Sequence, residues 1–274
     1  MEGWADVEVP VVTGLRVAAV QFGSGLDRAE NRRRVTQLLD EANARSEYPD
    51  LVVLPEATAR DFGKSGSRLS EEAEGLDGPF VGLLTDLAGR HGQTIVAGMF
   101  ERADDPDRPF STVVVVDQTG LRASYRKMHL YDSFGVRESD VLSAGPVEPR
   151  LVEIGGMTWG LMNCYDLRFP ELARLLVDRG AHGLLLPAAW VAGPRKGEQW
   201  RTLLRARATE NLLYVVAAGQ PAPRYTGLST VIDPRGDVLA EAGDGPDEVV
   251  VAQVSEDVVG AAREENPSLD NRRV

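Results

Sequence analysis

Three side chains of complementary chemistry each follow directly on a short, strand-like stretch of the sequence. Glu56 follows LVVLP, Lys127 follows ASYR, and Cys164, the only cysteine, follows GLMN. A thiol is mostly protonated at neutral pH because its usual pKa is about 8.5. A carboxylate beside it can take that proton, and an ammonium can stabilise the oxyanion formed after attack on a carbonyl group. The set therefore suits nucleophilic catalysis by a thiol.

The stretch around the cysteine reads GLMNCYDLRFPEL over residues 160–172. An apolar run precedes it and a helical pattern follows Pro170, so we predict a sharp turn from a strand into a helix. Ligands bind at such strand ends in α/β sheets, and a helix N-terminus there can convert a thiol into a thiolate. A lone cysteine also fits a small buried hydrophobe. The polar neighbours Asn163, Asp166 and Arg168 favour a functional role.

Other catalytic and binding classes find less support. Glu56 alone could be a helix N-cap, and Lys127 alone a solvated loop cation. The histidines, His91, His129 and His182, are scattered, so a Cys–His arrangement could arise only through the fold. The sequence has no CxxC, HxxxH, GxGxxG or GxxxxGK[ST] motif, which leaves metal and nucleotide binding without a motif. No metal site is predicted.

Composition narrows the class of protein further. The 274 residues are 43% apolar, enough for one large domain, and the net charge of -12 argues against sequence-independent nucleic-acid binding. A single cysteine permits no internal disulfide. The acidic N-terminus does not resemble a signal peptide, and no apolar run approaches the ~18–20 residues of a membrane helix. We therefore expect a cytoplasmic protein without a membrane partner.

Short apolar strands alternate with amphipathic helices, which is typical of an α/β fold. The order repeats in outline, so we predict two sheets packed together in a single domain at residues 15–264, with helices outside. Residues 1–14 are predicted to be a loose extension and residues 265–274 a polar tail. The irregular stretch 125–149 is long enough to indicate function. Strands are predicted at 15–22, 51–54, 94–100, 112–117, 121–125, 151–154, 157–163, 183–186, 213–218, 229–232, 238–240 and 249–254, and helices at 27–46, 80–91, 170–179, 197–211 and 256–263.

Three motifs in order give a resemblance to a known family. They are VVLPEA around Glu56, YRKMHLYD around Lys127 and NCYDLRFPEL around Cys164. WRTLLRARATEN at 200–211 and STVIDPRGDVLA at 229–240 also match. The sequence resembles the nitrilase, or carbon–nitrogen hydrolase, superfamily over about residues 15–254.

The resemblance implies roles for individual residues. Cys164 matches the nucleophile, Glu56 the general base and Lys127 the cation that stabilises the tetrahedral intermediate. Glu138, in FGVRES, matches a second glutamate that positions the substrate and the lysine, and the Tyr165 N–H would complete the oxyanion hole. The implied fold is a four-layer αββα sandwich of two mixed sheets. A homodimer or larger homo-oligomer and no metal or organic cofactor are also implied.

Within the superfamily the loops are similar to those of small amidases, which include ω-amidases acting on α-keto amides and deaminated-glutathione amidases. The implied reaction hydrolyses a small carboxamide and releases ammonia and an acid through a cysteine thioester. Typical nitrilases carry tryptophan and glutamate after the cysteine, whereas Tyr165 and Asp166 stand here. Nitrile or N-carbamoyl amino acid hydrolysis with the same triad stays an alternative. The family's Gly-His-Ser is replaced by residues 227–229, GLS, so the role of that histidine is absent.

Two further residues and two further classes stay open. Arg168 could bind substrate or pair with Asp166 or Glu171, and Trp190 could cover the substrate or pack in the core. A catalytically silent, ligand- or redox-sensing member of the fold is an alternative from a different class, although it would tolerate loss of Glu56 or Lys127. An acyl transferase, in which an amine or alcohol intercepts the thioester, is a weaker alternative.

Overall fold

The computed structural model describes residues 14–44, 49–64, 66–243 and 245–273. Apart from Gly14, the predicted N-terminal extension lies outside the described residues. The last part of the predicted first helix also lies outside them, and the described part of that helix ends at Asn43.

The strands of the described chain fall close to the predicted positions. In chain order they are β1 (Leu15–Gln21), β2 (Leu51–Val53), β3 (Thr94–Glu101), β4 (Phe110–Asp117), β5 (Gly120–Arg126), β6 (Asp132–Ser133), β7 (Val136–Arg137), β8 (Leu151–Ile154), β9 (Met157–Leu161), β10 (Gly183–Ala188), β11 (Tyr214–Gly219), β12 (Thr230–Ile232), β13 (Val238–Glu241) and β14 (Glu248–Val254).

The helices begin and end at residues with clear local causes. Asp27 caps the first helix by accepting hydrogen bonds from the N–H groups of Ala29 and Glu30. Pro79 begins the second helix, and Gly92 ends it in the left-handed region with φ 67°. The α-helices are α1 (Arg28–Asn43), α2 (Pro79–His91), α3 (Pro170–Asp178), α4 (Lys196–Asn211) and α5 (Glu256–Glu265).

Two six-stranded mixed sheets repeat one topology. The first has the order β14-β1-β2-β3-β4-β5 and the second β13-β12-β11-β10-β9-β8. Strands β1, β2 and β3 run parallel, as do β9, β10 and β11, and the outer neighbours pair antiparallel. Helices α1 and α2 make the crossovers of the first half, and α3 and α4 those of the second. The predicted α/β class and repeated order are confirmed.

Buried side chains alternate between the two faces of the strands, and this alternation shows which layers pack on each face. In β1, Val17 and Ala19 belong to a core cluster that includes Leu185 of β10, whereas Ala18 and Val20 pack in a second cluster with α1 and α2. Successive side chains of a strand point to opposite faces, so the first sheet has one face on the other sheet and one on its helices. Leu176 of α3 and Leu204 of α4 pack on the outside of the second sheet. The result is the predicted four-layer αββα sandwich.

Some boundaries differ from the prediction. The strand predicted to stop at Leu186 continues as β10 through Pro187 to Ala188, and it stays paired with β11. The strand predicted to reach residue 163 ends at Leu161. The stretch 125–149 contains the β6–β7 hairpin, whose turn residues Phe134 and Gly135 have φ 52° and 81°. Two successive positive φ values are the geometry that tight hairpins favour.

The ends of the strands converge on one edge of the sandwich. Glu56 follows β2, Cys164 follows β9, and Ala189 follows β10, all at carboxyl ends of parallel strands. Lys127 follows β5, beside β4 in the first sheet. Among the described helices, none is both long and apolar enough to cross a membrane.

Candidate active site

The structure brings the three predicted residues, Glu56, Lys127 and Cys164, together in one buried cluster. Lys127 Nζ lies 2.9 Å from Glu56 Oε1 and 2.9 Å from Glu138 Oε2. Cys164 and Glu138 line the same cavity. The charges of Glu56, Lys127 and Glu138 all act on the Cys164 thiol. Residues that are more than a hundred positions apart in sequence thus share one small volume.

Lys127 is fully buried, and its charge is compensated by two carboxylates. Burial alone would lower the pKa of Lys127, but Glu138 and Glu56 outweigh burial and hold that pKa well above its usual range. The amine therefore stays an ammonium. Glu138 also accepts a hydrogen bond of 2.8 Å from the Tyr131 N–H. Burial raises the pKa of Glu138 although Lys127 opposes the change.

The Glu56 carboxylate is held by groups from both sheets. Its Oε1 accepts hydrogen bonds from Lys127 Nζ at 2.9 Å and from Ser111 Oγ at 3.1 Å. Its Oε2 accepts one from the Ala189 N–H at 3.1 Å. Gln220 Nε2 donates to the Glu56 carbonyl at 2.9 Å. The side chain is therefore fixed in position and orientation.

Gly98 of β3 allows the Glu56 backbone to reach this position. A Cβ built at Gly98 would lie 2.5 Å from Glu56 Cα and 2.7 Å from the Ala57 N atom. The Gly98 N–H also donates to the Pro55 carbonyl at 3.0 Å. Any larger residue at this position would push on the turn that carries the carboxylate.

Cys164 begins a short 3-10 helix, Cys164–Arg168, and has a φ of 49°. A positive φ is uncommon for a residue other than glycine and often marks a functional turn. Burial, followed by the Glu56 charge, raises the pKa of Cys164 well above its usual range, although Lys127 opposes the change. The general tendency of a helix N-terminus to favour a thiolate is therefore outweighed at Cys164. The thiol is neutral because removal from water disfavours its charged form more than the nearby cation favours it.

Asp166 holds the turn that carries the thiol. It is fully buried and accepts hydrogen bonds from the Asn163 N–H at 2.9 Å, the Tyr125 hydroxyl at 2.8 Å and the His129 N–H at 3.2 Å. His129 Nδ1 lies 2.7 Å from the same carboxylate. Burial and then Asp166 raise the pKa of Tyr125, so this hydroxyl keeps its proton. Asp166 is thus a structural anchor and does not pair with Arg168.

A cavity of about 380 Å³ opens beside the thiol. This is the size of a small-molecule site, because ligand pockets usually hold roughly 300–1,000 Å³. Its walls combine apolar surface with cations. Lining residues include Glu138, Cys164, Tyr165, Arg168, Trp190 and Lys196.

The predicted substrate-binding residues all line this cavity. Arg168 Nη2 donates to Gln199 Oε1 at 2.8 Å, and its guanidinium lies 4.7 Å from the centre of the Trp190 ring. The alternative pairing of Arg168 with Asp166 or Glu171 does not occur. Trp190 also packs on Trp200, with ring centres 5.4 Å apart, so it serves both the cavity wall and the core. Tyr165 contacts Tyr131 edge-on, with ring centres 5.0 Å apart.

Sequence reasoning missed two polar groups of the site, Ser111 and Lys196. Lys196 Nζ donates to the Tyr131 hydroxyl at 3.1 Å and lies 3.8 Å from the centre of the Phe134 ring. Lysine occurs only at positions 64, 127 and 196, and this scarcity was the one signal that could have indicated it. No local pattern marks Ser111. Among the residues that the structure describes, no group of three His, Cys, Asp or Glu side chains is placed to hold a metal ion.

Comparison with known proteins gives a consistent result. Residues 16–264 match the sequence profile described as carbon-nitrogen hydrolase. The chain is 38% identical to a deaminated glutathione amidase of Escherichia coli O157:H7, over 94% of this chain and 97% of that protein. It is 32% identical to omega-amidase NIT3 of Saccharomyces cerevisiae, over 94% and 93%. The crystal structure of XC1258 from Xanthomonas campestris, a CN-hydrolase superfamily protein, superimposes with a TM-score of 0.84 and 30% identity, over 95% of this chain and 98% of that one.

Proposed function

The chain belongs to the carbon–nitrogen hydrolase family, and we propose that it is an amidase that hydrolyses a small carboxamide through a cysteine thioester. The observation that carries this proposal is the buried contact of Lys127 with Glu56 and Glu138 beside the Cys164 thiol. Burying three charges together is unfavourable unless they compensate one another, so such a cluster indicates a functional site.

In the proposed first step Glu56 takes the proton of the Cys164 thiol as the sulfur attacks the carboxamide carbon. A base is needed at that moment because the raised pKa of Cys164 keeps the resting thiol neutral. The carbonyl oxygen becomes an oxyanion between the Lys127 ammonium and the Tyr165 N–H. Inside a buried site these contacts are stronger than in water.

In the second step Glu56 returns its proton to the amide nitrogen, and the C–N bond breaks. Ammonia leaves and the acyl group stays on sulfur as a thioester. Glu56 then takes a proton from water as the resulting hydroxide attacks the thioester carbon. The C–S bond then breaks, Glu56 returns that proton to the Cys164 sulfur, and the carboxylic acid leaves.

We further propose that the substrate carries a carboxylate at the end remote from the amide, as ω-amides do. Arg168 and Lys196 both line the cavity. Within the described part of the chain neither forms an ion pair with a carboxylate, and their hydrogen bonds go to Gln199 and Tyr131. Two cations without anionic partners on the wall of one cavity favour an anionic ligand.

The test is ammonia release from a panel of small compounds. It contains α-ketoglutaramate, deaminated glutathione, succinamate, its neutral analogue butyramide, glutamine, an N-carbamoyl amino acid and an aliphatic nitrile. We expect release from the acidic ω-amides and its loss in Cys164→Ala. Ammonia release from the carbamoyl compound or the nitrile alone would be consistent with the catalytic triad but would contradict the proposed carboxamide substrate. If no compound of the panel releases ammonia, the result would favour the alternative of a catalytically silent sensor.

Intact-mass measurement after a rapid quench tests the intermediate itself. Wild-type protein should carry an acyl adduct on Cys164, and Glu56→Gln should stall at or before the thioester. Unchanged turnover in Cys164→Ala would contradict the whole mechanism.

The assembly, the compartment and the domain limits are proposed together with the chemistry. We propose a homodimer or larger homo-oligomer, as the family resemblance implies, with α3 and its 44% exposed Leu175 at the contact between subunits. Light scattering would test this. A reducing compartment keeps a lone thiol free of intermolecular disulfides, which supports the cytoplasm. A single domain over residues 15–264 predicts one cooperative unfolding transition.

A further inference from the structure

Ser111 of β4 lies at the centre of the buried cluster although it is not one of the three predicted catalytic residues. Its hydroxyl accepts a hydrogen bond from Asn163 Nδ2 at 3.0 Å and donates one to Glu56 Oε1 at 3.1 Å. An amide N–H can only donate and an ionised carboxylate can only accept. The direction of both hydrogen bonds is therefore fixed, from Asn163 through Ser111 to Glu56.

The backbone of Ser111 reaches the third element of the site. Its carbonyl oxygen accepts the Lys127 N–H at 2.8 Å. One residue thus contacts the base, the backbone of the lysine, and the neighbour of the cysteine. It does so from the interior, because Ser111 is 1% exposed.

The two oxygens of Glu56 have different surroundings. Oε1 accepts from two side chains, Lys127 and Ser111. Among the described residues, Oε2 accepts only from the Ala189 N–H, and Ala189 lines the cavity together with Cys164. Oε2 is therefore the oxygen on the thiol side, with the more available lone pair.

We infer that Ser111 is a positioning residue that fixes the rotation of the Glu56 carboxylate. It keeps Oε1 on Lys127 and leaves Oε2 to take the proton of Cys164. The inference rests on the proposed function, in which Glu56 is the base. Without Ser111 the carboxylate keeps one donor on each oxygen, Lys127 on Oε1 and the Ala189 N–H on Oε2, and it can rotate more freely about its last side-chain bond because such terminal torsions are broad.

The chain offers a matched control on the same strand. Thr112, the next residue of β4, is also buried, and its hydroxyl donates to the Glu101 carboxylate at 2.7 Å, away from the thiol. Ser111→Ala and Thr112→Val each remove one buried hydroxyl-to-carboxylate hydrogen bond. Both should lower thermal stability, but only the change at Ser111 should impair catalysis.

We expect Ser111→Ala to lower kcat by roughly 10- to 100-fold, a part of the about 100- to 10,000-fold that a positioned base contributes. KM should stay within about two-fold, since the substrate contacts are retained. Ser111→Thr keeps the hydroxyl and should restore kcat. The charged and titratable groups that face Glu56 and are left in place are Lys127, Glu138, Cys164 and Tyr225.

A readout without substrate separates this inference from the proposed function. Cys164 is the only cysteine, so its alkylation by iodoacetamide reports the transfer of its proton to Glu56 even if every amide fails. We expect roughly 10-fold slower alkylation in Ser111→Ala at neutral pH and an unchanged rate in Thr112→Val. Asn163→Ala keeps Ser111 but removes the donor that orients its hydroxyl, and should slow alkylation less. Asn163→Ala tests the inference if Ser111→Ala does not fold. A wild-type alkylation rate in folded Ser111→Ala, or in folded Asn163→Ala where Ser111→Ala does not fold, would overturn the inference.

Discussion

Gly98→Ala tests whether the position of Glu56 depends on close contact between β3 and the turn after β2. The added Cβ would lie 2.5 Å from Glu56 Cα, and all three of its nearest atoms belong to the backbone of Glu56 or Ala57. Backbone cannot rotate aside as a side chain can. Ordinary contact begins at about 3.4 Å, so the turn must move by about 0.9 Å.

The size of the effect follows from that displacement. A misplacement of about 1 Å can reduce the rate of an enzyme by about 100-fold. Overpacking of a well-packed core lowers the free energy of unfolding by about 1–3 kcal/mol. We therefore expect kcat in Gly98→Ala to fall by about 100-fold, together with a lower melting temperature.

The assay compares kcat, KM and thermal unfolding with those of Gly82→Ala. Gly82 lies in α2, and a Cβ there would meet nothing within 4 Å. Alanine should stabilise that helix by up to about 1 kcal/mol and leave kcat unchanged. A Gly98→Ala protein with wild-type kcat and stability would refute the reasoning, because it would show that the turn yields without moving the carboxylate.

Three further predictions concern the cavity, the thiol and the nucleophile turn. Lys196→Met should lower kcat/KM for succinamate by roughly 10-fold or more, because a hydrogen bond to a charged group is lost, and should spare butyramide. Butyramide is the internal control, and equal losses for both substrates would contradict the role. Burial and then the Glu56 charge raise the pKa of Cys164, so in a pH titration the ultraviolet absorbance of its thiolate should appear only above the usual pKa range of a thiol. Glu56→Gln removes that charge and should shift the titration to lower pH. Thiolate absorbance in the wild type at neutral pH would contradict this prediction. Tyr125→Phe removes a 2.8 Å hydrogen bond to Asp166 and should lower the unfolding free energy by about 1–3 kcal/mol in chemical denaturation. Tyr214→Phe, which loses only a 3.4 Å contact with the Ser255 N–H, should lose less.

The layered fold and the reactive residues could be predicted from the sequence because both depend on residues close together in the chain. Strand and helix periods depend on neighbours a few positions apart, so the repeated α/β order was predictable from them. Glu56, Lys127 and Cys164 each follow a strand-like run, and the order of the three motifs around them indicated the family. The predicted strands differ from the structure mainly at their boundaries, as at Pro187, where pairing with β11 outweighs the tendency of proline to end a strand.

Only the tertiary structure decided how those groups influence one another. The Ala189 N–H reaches Glu56 Oε2 across 133 positions, and Ser111 reaches Asn163 across 52. No short pattern encodes contacts of that separation. The sign of the Cys164 pKa shift is the clearest case. A strand-to-helix turn can favour a thiolate, but at Cys164 burial and the Glu56 charge outweigh the opposing charge of Lys127. Desolvation depends on everything packed around the sulfur, and that is settled only when both sheets are in place.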